Sequence, residues 1–336
     1  MKKFLSILLA LVSVITLSFT LTACGDDPGT ESLTYETQSD GTLYVTGIND
    51  GTEKVIVPGK KDGKVVSGIG EDAFRSNKNV KEVTLPSSVQ YIDASAFYGA
   101  SKLTKINLGK VVTIGKNAFR GTKLLACDLS SAMTIDDYAF YGTSISSVEI
   151  PTGIIEVSKS CFSSCSLLLT VTLPTTVKTI NESAFNGCNS LSTINLNNVK
   201  VIKEGAFESC SSLYSLSLNS VVDIGLEAFA SCALQTVTIG ANCQRIYTSA
   251  FFQCSSLGSV SLGSATSDEW YILLNYGNNT TGLIKHSPSY PEGWNANLAD
   301  TAKCAQFLTK SHLAGSYICT RAWSIEHSLG EPSIVG

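Results

Sequence analysis

Apolar residues recur at fixed positions along most of the chain, around an Ala-Phe dipeptide or a close variant of it. Nine copies are present, and their phenylalanines lie 23, 22, 21, 22, 23, 22, 22 and 22 residues apart. These residues are Phe74, Phe97, Phe119, Phe140, Phe162, Phe185, Phe207, Phe229 and Phe251. A sustained period of this length is typical of a solenoid, in which each copy forms one coil that stacks on the next.

Each copy also contains a segment of the type Leu-x-x-Val-x-Leu, such as Leu103, Ile106 and Leu108. Alternation at period two predicts a β-strand with one buried face, and the strands should stack in parallel because all copies run in one direction. A Val-x-x-Ile segment before Ala-Phe predicts a second short extended piece. We expect a turn of α-helix or 3₁₀-helix at Ala-Phe itself.

The ends of the chain differ from the repeats. Residues 33–50 alternate around Asp40-Gly41, which predicts a β-hairpin. We interpret residues 33–68 as an N-terminal cap with a first partial repeat, and 69–262 as the repeat array. Residues 263–336 lack the pattern and are expected to form a C-terminal cap or a small appended domain. Within that segment we predict a helix at 296–309 and a strand at 315–320.

The repeat consensus L-x-x-V-x-L-P-x-x-V-x-x-I-x-x-x-A-F-x-x-C resembles the BspA-like leucine-rich repeats over roughly residues 52–262. The resemblance implies a leucine-rich-repeat solenoid of stacked parallel strands with short helical or 3₁₀ turns, capped at both ends. The family is similar to surface proteins of host-associated bacteria, several of which adhere to host matrix proteins or to other bacteria. It therefore implies a binding role.

The N-terminal residues 1–24 predict a lipoprotein signal peptide. Lys2 and Lys3 precede an apolar run, and Leu21-Thr22-Ala23-Cys24 resembles the bacterial lipobox, so we expect Cys24 to be lipidated. Residues 25–32 suit a short tether. Acidic residues close behind Cys24 resemble the surface-export signal of some Gram-negative lipoproteins. The expected location is therefore the cell envelope, with exposure at the outer surface, and the alternative is a periplasmic or otherwise membrane-tethered location.

The composition narrows the choice of partner. With 24 Lys+Arg against 28 Asp+Glu and a net charge of −4, the chain has no basic excess for nucleic acid. Contact with a membrane is expected only through the lipid anchor. With 45 serines and 31 threonines, the surface is predicted to be neutral and polar.

Five of the 11 cysteines lie three positions after a repeat phenylalanine. They are Cys165, Cys188, Cys210, Cys232 and Cys254. Parallel side chains on successive coils would hold their Cβ atoms farther apart than the ~3.8 Å of a disulfide, so we interpret them as buried free thiols. Cys304 and Cys319 lie outside the array, and the sequence leaves open whether they form a disulfide.

Enzyme motifs are absent from the sequence, including the nucleophile elbow, the zinc-protease helix and the phosphate-binding loop. His286, His312 and His327, with Asp300 or Glu326, fit no known ligand spacing. We therefore expect no catalysis, no metal and no cofactor.

Two outward rows are candidate binding surfaces. The residue after each of the first four repeat phenylalanines is Arg75, Tyr98, Arg120 and Tyr141, in that order. Because they lie one coil apart, each guanidinium can stack on a ring, and we hypothesise a binding stripe. The alternative is that these four side chains contact only one another and bind no partner.

The second row is the outward position of each strand, Thr84, Asn107, Asp128 and Glu149, continued by small polar residues in later coils. We expect this row to form a flat, mildly acidic face that binds through hydrogen bonds. The alternative is that these residue types occur there only because they favour β-strands on a solvated sheet face.

The sequence thus predicts a module that binds a host extracellular protein or a bacterial surface protein. Glycan binding is a second hypothesis, carried by the aromatic residues Trp270, Tyr271, Tyr276 and Trp294. A structural envelope scaffold without an external ligand is the third.

Overall fold

The computed structural model describes residues 29–49, 51–240, 242–243, 245–247 and 250–262, together with strands at 270–276, 280–286 and 317–321. The repeats form the predicted solenoid of stacked coils. Each regular coil contributes one strand to each of two parallel rows and then closes through its Ala-Phe turn.

The first strand row contains the Leu-x-x-Val-x-Leu segments, as predicted. Its members are β3 (Lys54–Ile56), β6 (Glu82–Thr84), β8 (Lys105–Ile106), β11 (Ser147–Glu149), β13 (Thr170–Thr172), β15 (Thr193–Ile194), β17 (Ser215–Leu218), β19 (Thr236–Ile239) and β21 (Ser259–Leu262). The central residue of the repeat pattern points inward and its neighbours outward. In β13, Val171 is buried between the exposed Thr170 and Thr172.

The second strand row precedes the Ala-Phe turns. It is formed by β5 (Lys64–Ile69), β7 (Tyr91–Ile92), β9 (Thr113–Ile114), β10 (Thr134–Ile135), β12 (Glu156–Val157), β14 (Thr179–Ile180), β16 (Val201–Ile202), β18 (Asp223–Ile224) and β20 (Arg245–Ile246). Isoleucine or valine aligns with its counterpart in the next coil, as Ile180 does with Ile202. The parallel register therefore repeats the sequence register.

The Ala-Phe segment closes by turns. The Phe97 amide donates to the carbonyl of Ala118 in the next coil at 2.8 Å. The Ala96 and Tyr98 amides instead donate to carbonyls three residues back, and Ser95 has a φ of 56°. Alternate amides thus bond between coils, which prevents the consecutive internal bonds that a helix needs. The expected helical or 3₁₀ turn is not confirmed, since the structure contains no helix in the ranges given above.

The repeat phenylalanines form one continuous column inside the solenoid. Successive ring centroids are 4.9–5.7 Å apart and the ring planes lie within 14° of parallel. Every ring is at most 1% exposed. The spacing follows the distance of about 4.8 Å between neighbouring strands, so coil stacking itself brings the rings into contact.

The segments that flank the repeats are antiparallel. β1 (Leu33–Thr37) and β2 (Leu43–Ile48) form the hairpin that Asp40-Gly41 predicts, and β2 pairs in parallel with β5. A short β4 (Lys60–Lys61) pairs with the start of β5. Beyond the array, β22 (Trp270–Tyr276) pairs with β23 (Thr280–His286) and β24 (Tyr317–Arg321). β24 overlaps the strand predicted at 315–320, whereas the helix predicted at 296–309 lies outside the described residues.

Both strand rows are interrupted next to the shortest coil, in which Phe119 and Phe140 are 21 positions apart. The first row is interrupted a second time, between β15 and β17. Residues 127–129 form no strand, so β8 and β11 belong to separate sheets, and β10 does not pair with β12. The Ala-Phe turns continue unbroken, because the Phe140 amide donates to the Cys161 carbonyl at 2.9 Å. We call the break between β10 and β12 the seam.

Candidate binding surface on the Ala-Phe turns

Each repeat phenylalanine points into the core, so the residue that follows it lies on the outside of the turn. In the first four coils these residues are Arg75, Tyr98, Arg120 and Tyr141, as the sequence predicts. Arg75 is exposed and the other three are half-buried. Because the turns are held in register by hydrogen bonds between coils, the four side chains lie one above another.

The predicted stacking of guanidinium groups on rings is confirmed. The Cζ of Arg75 lies 4.7 Å from the centre of the Tyr98 ring, and the Cζ of Arg120 lies 5.7 Å from it. Arg120 also lies 4.5 Å from the centre of the Tyr141 ring. We call these four residues the Arg–Tyr stack. Exposed cation–π contacts of this kind are each worth about 0.5–1 kcal/mol.

A fifth aromatic residue, Tyr138, was not predicted to take part. Its ring centre lies 5.3 Å from the Cζ of Arg120 and 6.1 Å from that of Tyr141. Tyr138 occupies the position two residues before the repeat phenylalanine, where the chain turns with a φ of 59°. The signal was available in the sequence, because both residues that flank Ala139-Phe140 on the outside of this turn are tyrosines.

The two arginines of the stack have different electrostatic surroundings. Arg75 forms an ion pair with Asp72 at 2.9 Å, and this hydrogen bond raises the pKa of the Arg75 guanidinium. Among the described residues, the Arg120 guanidinium donates only to the Oδ1 of Asn117, at 3.3 Å. Within the described residues Arg120 forms no ion pair. Among the residues that the structure describes, Arg75 thus has a counter-ion and Arg120 has none.

The strand-face candidates Thr84, Asn107, Asp128 and Glu149 are all exposed, which confirms their predicted outward orientation. Thr84 and Glu149 lie in strands of the first row, and Asn107 directly follows β8. Asp128 lies where that row is interrupted, and none of the four lies on an Ala-Phe turn. Two of them are already engaged. The Asn107 amide group donates to the Leu85 carbonyl at 2.8 Å and accepts from the Leu85 amide at 2.7 Å. Asp128 accepts from the Ser130 amide, which lowers the pKa of the Asp128 carboxyl.

An apolar component beside this face was missed by the sequence reasoning. Leu125, Leu167 and Leu169 are 57%, 52% and 51% exposed. These three residues lie next to the buried leucine at the start of a strand segment. The repeat pattern identifies only that buried leucine, so it did not predict the exposed leucines beside it.

The five aligned cysteines are free and buried, as predicted. Each thiol donates to the carbonyl of a repeat phenylalanine in the preceding coil, with Sγ to oxygen distances of 3.0–3.3 Å. Burial raises the pKa of the Cys165 thiol to about 11 and that of the Cys254 thiol to about 12. The Cys165 and Cys254 thiols are therefore protonated at neutral pH and are poor nucleophiles.

The remaining predictions concern metal binding, membrane contact and residues near the two ends of the chain. In the part of the chain that the structure describes, no group of His, Cys, Asp and Glu side chains could hold a metal ion. No helix there is long and apolar enough to cross a bilayer. The predicted lipidation site Cys24 lies outside the described residues, as do Trp294 and Cys304. Whether Cys304 and Cys319 form a disulfide therefore stays open.

Comparison with known proteins gives a consistent result. The model of the BspA type leucine rich repeat region matches in six copies, over residues 63–167 and 133–258. A leucine-rich repeat protein from Bacteroides ovatus is 26% identical, with 70% of each chain covered and a TM-score of 0.59. A leucine rich cell surface protein from Faecalibacterium prausnitzii is 20% identical, with 73% of this chain and 97% of that chain covered and a TM-score of 0.44. No curated protein matches significantly.

Proposed function

Because the chain belongs to the BspA-type leucine-rich repeat family, we propose that it is a protein-binding module of the cell envelope that acts as an adhesin. Solenoids of this kind are typically binding scaffolds, since their coils present extended surfaces without an enclosed pocket. Nine coils at about 4.8 Å each extend for roughly 45 Å, which is long enough to contact a large protein. The partner in this proposal is a host extracellular protein or a surface protein of another bacterium.

The Arg–Tyr stack is the single observation that carries the proposal. Arginine and tyrosine are enriched among the residues that dominate binding energy at protein interfaces. In this chain they form a preformed row on four successive coils, with contact distances of 4.5–5.7 Å. A row that is already ordered loses less conformational entropy on binding than separate flexible side chains would.

The second part of the proposal concerns the location. After removal of the signal peptide, a lipid on Cys24 would anchor the chain in the envelope, and residues 25–32 would tether the array to that anchor. The test is metabolic labelling with palmitate, in which Cys24→Ser should lose the label. Protease treatment of intact cells should then remove the array from wild-type cells if it is exposed outside.

The binding role is tested with the purified full-length protein on surfaces coated with host extracellular-matrix extract or with whole bacterial cells. We expect saturable binding that the double variant Tyr98→Ala/Arg120→Ala weakens at least tenfold. The matched control is Tyr214→Ala/Lys200→Ala, which removes an exposed tyrosine and an exposed lysine from later coils. No saturable binding to either surface would overturn the adhesin role, and unchanged binding by the first variant would exclude the stack.

A further inference from the structure

We propose that Arg120 is the centre of an anion-binding site that takes a carboxylate group from an acidic segment of the partner protein. The inference rests on the proposed function and adds to it the chemistry of the partner. It follows from the surroundings of Arg120, from the free donors around it, and from a comparison with Arg75 in the same stack.

Three tyrosine rings hold the Arg120 guanidinium in place. Its Cζ lies 4.5 Å from the centre of Tyr141, 5.3 Å from that of Tyr138 and 5.7 Å from that of Tyr98. An arginine that is already ordered binds with less loss of side-chain entropy than a free one. The rings also shield the guanidinium partly from water, which strengthens its attraction for an anion.

Most of the hydrogen-bonding capacity of Arg120 is unused. A guanidinium has five N–H donors, and in the described residues only one bond is formed, to the neutral side chain of Asn117. The hydroxyl groups of Tyr98, Tyr138 and Tyr141 also form no hydrogen bond with another described residue. A ligand at this position would therefore meet a planar fork of N–H groups with phenolic O–H donors beside it.

Arg75 occupies the position equivalent to that of Arg120 in the first coil, and there an ion pair neutralises the guanidinium. Asp72 and Asn117 occupy equivalent positions, two residues before the repeat phenylalanine, with φ angles of 57° and 58°. Asp72 lies 2.9 Å from Arg75, whereas the corresponding Asn117 leaves Arg120 without a counter-ion. The chain thus provides an internal carboxylate in one coil and lacks it two coils later, which is the place that an external carboxylate would fill.

The guanidinium fork of Arg120 suits a carboxylate, which can accept two parallel hydrogen bonds from it. The surface around the fork carries charges of both signs, because Asp136 is exposed on the next turn and Lys116 and Lys123 are exposed on the coil of Arg120 itself. The Tyr98 ring already contacts both arginines of the stack, so stacking of a sugar ring on it is disfavoured.

The site is tested by titrating the purified full-length protein with acetylated Gly-Glu-Gly-Glu-Gly amide and with its Gln-for-Glu counterpart. We expect the Glu peptide to bind at least tenfold more tightly than the Gln peptide. Arg120→Gln should weaken Glu-peptide binding at least tenfold, and Arg120→Lys should weaken it three- to tenfold because the charge remains but the fork is lost. Lys200→Gln, an equal change of charge on a distant coil, is the control and should leave binding unchanged.

Asn117→Asp gives a second test that keeps Arg120 in place. The substitution copies Asp72 at an equivalent backbone conformation, so the fold should be kept while the new carboxylate occupies Arg120. We expect Glu-peptide binding to fall about tenfold. Unchanged binding by Asn117→Asp or by Arg120→Gln would overturn the proposal. Competition by inorganic phosphate or sulfate as strong as that by glutarate at equal concentration would overturn the assignment to a carboxylate.

The outcome is distinguishable from that of the proposed function. If the coated surfaces bind wild type and Arg120→Gln equally, the adhesin role stands and this site is excluded. If the Glu peptide binds through Arg120 but neither surface is bound, the site stands and the adhesin role fails.

Discussion

The thiol of Cys188 donates a hydrogen bond of 3.1 Å to the carbonyl oxygen of Phe162, in the preceding coil. The same bond recurs in all five coils that carry the aligned cysteine. Earlier coils have Ala100, Thr122 and Thr143 at this position, and the Thr143 hydroxyl lies 3.2 Å from the Cys165 sulfur. From the second coil onward, the column thus accepts a small side chain in every coil and uses a polar atom wherever one is present.

We expect Cys188→Ala to lower the free energy of unfolding by about 1–2 kcal/mol, because it removes a buried hydrogen bond and leaves a small cavity. The fold should tolerate the change, since Ala100 occupies the equivalent position. Urea unfolding followed by circular dichroism measures the difference. An unfolding midpoint equal to that of wild type would mean that the thiol bond contributes nothing net.

The buried thiols should make stability fall with rising pH. The pKa of Cys165 is raised to about 11 by burial, whereas a thiol in the unfolded chain titrates near 8.5. The unfolded state therefore loses a proton that the folded state keeps, so the stabilisation is complete below about pH 8 and decreases between about pH 9 and 11. Cys165→Thr, copied from Thr143, should reduce the slope of unfolding free energy against pH in reducing buffer. Because lysines and tyrosines titrate equally in both proteins, an identical slope would contradict this origin.

The left-handed positions of the Ala-Phe turns predict two changes of opposite sign. Gly142 has a φ of 66°, and a Cβ atom placed there would meet nothing within 4 Å, so Gly142→Ala tests backbone strain alone. We expect it to destabilise the protein by about 1–2 kcal/mol. Ser164 has a φ of 59°, so Ser164→Gly should stabilise the protein.

Gly258 is the control for this pair, because it lies outside the left-handed region and its nearest neighbour would be 3.9 Å from a new Cβ atom. Gly258→Ala should keep or raise the midpoint of thermal unfolding. A midpoint of Gly142→Ala as high as that of Gly258→Ala would show that φ does not limit the turn.

The features that sequence predicted well are those repeated in every coil. Alternation around Val171 indicates which strand face is buried, and the spacing of Arg75, Tyr98 and Arg120 by one coil places them in contact. Asp40-Gly41 predicts its hairpin because the turn chemistry is local. These predictions depend on periodicity or on adjacent residues, which the sequence displays directly.

The features that escaped prediction depend on hydrogen bonds between coils. The Phe97 amide bonds to the next coil, which replaces the expected helical turn, and a single sequence copy does not show this competition. Tyr138 contacts Arg120 of the preceding coil, although the repeat pattern does not mark its position as part of a row. Asn107 replaces strand pairing with a side-chain bond to Leu85, where β8 is only two residues long. In each case the deciding partner belongs to another coil.

The seam should be the least protected part of the strand rows. In neighbouring coils, the backbone amide that follows the strand donates to a carbonyl of the preceding coil. The Asn181 amide, for example, donates to the Val157 carbonyl at 3.0 Å. At the seam the equivalent Ile135 carbonyl accepts instead from the Ser158 hydroxyl, at 2.5 Å, and β12 has no strand partner on that side. Amides without such bonds open locally at low free-energy cost, so they exchange quickly with solvent.

We therefore expect hydrogen exchange of the β12 amides to be at least tenfold faster than that of the β14 amides, measured by mass spectrometry on peptides from these two strands. The internal control is the Phe140 amide, which donates across the seam to Cys161 at 2.9 Å and should exchange as slowly as the Phe162 amide. Slow exchange at both β12 and Phe140 would show that the coils are held together at the seam as firmly as elsewhere. Fast exchange at both would mean that the seam divides the array into two independently opening parts, since the turns would then fail to couple them.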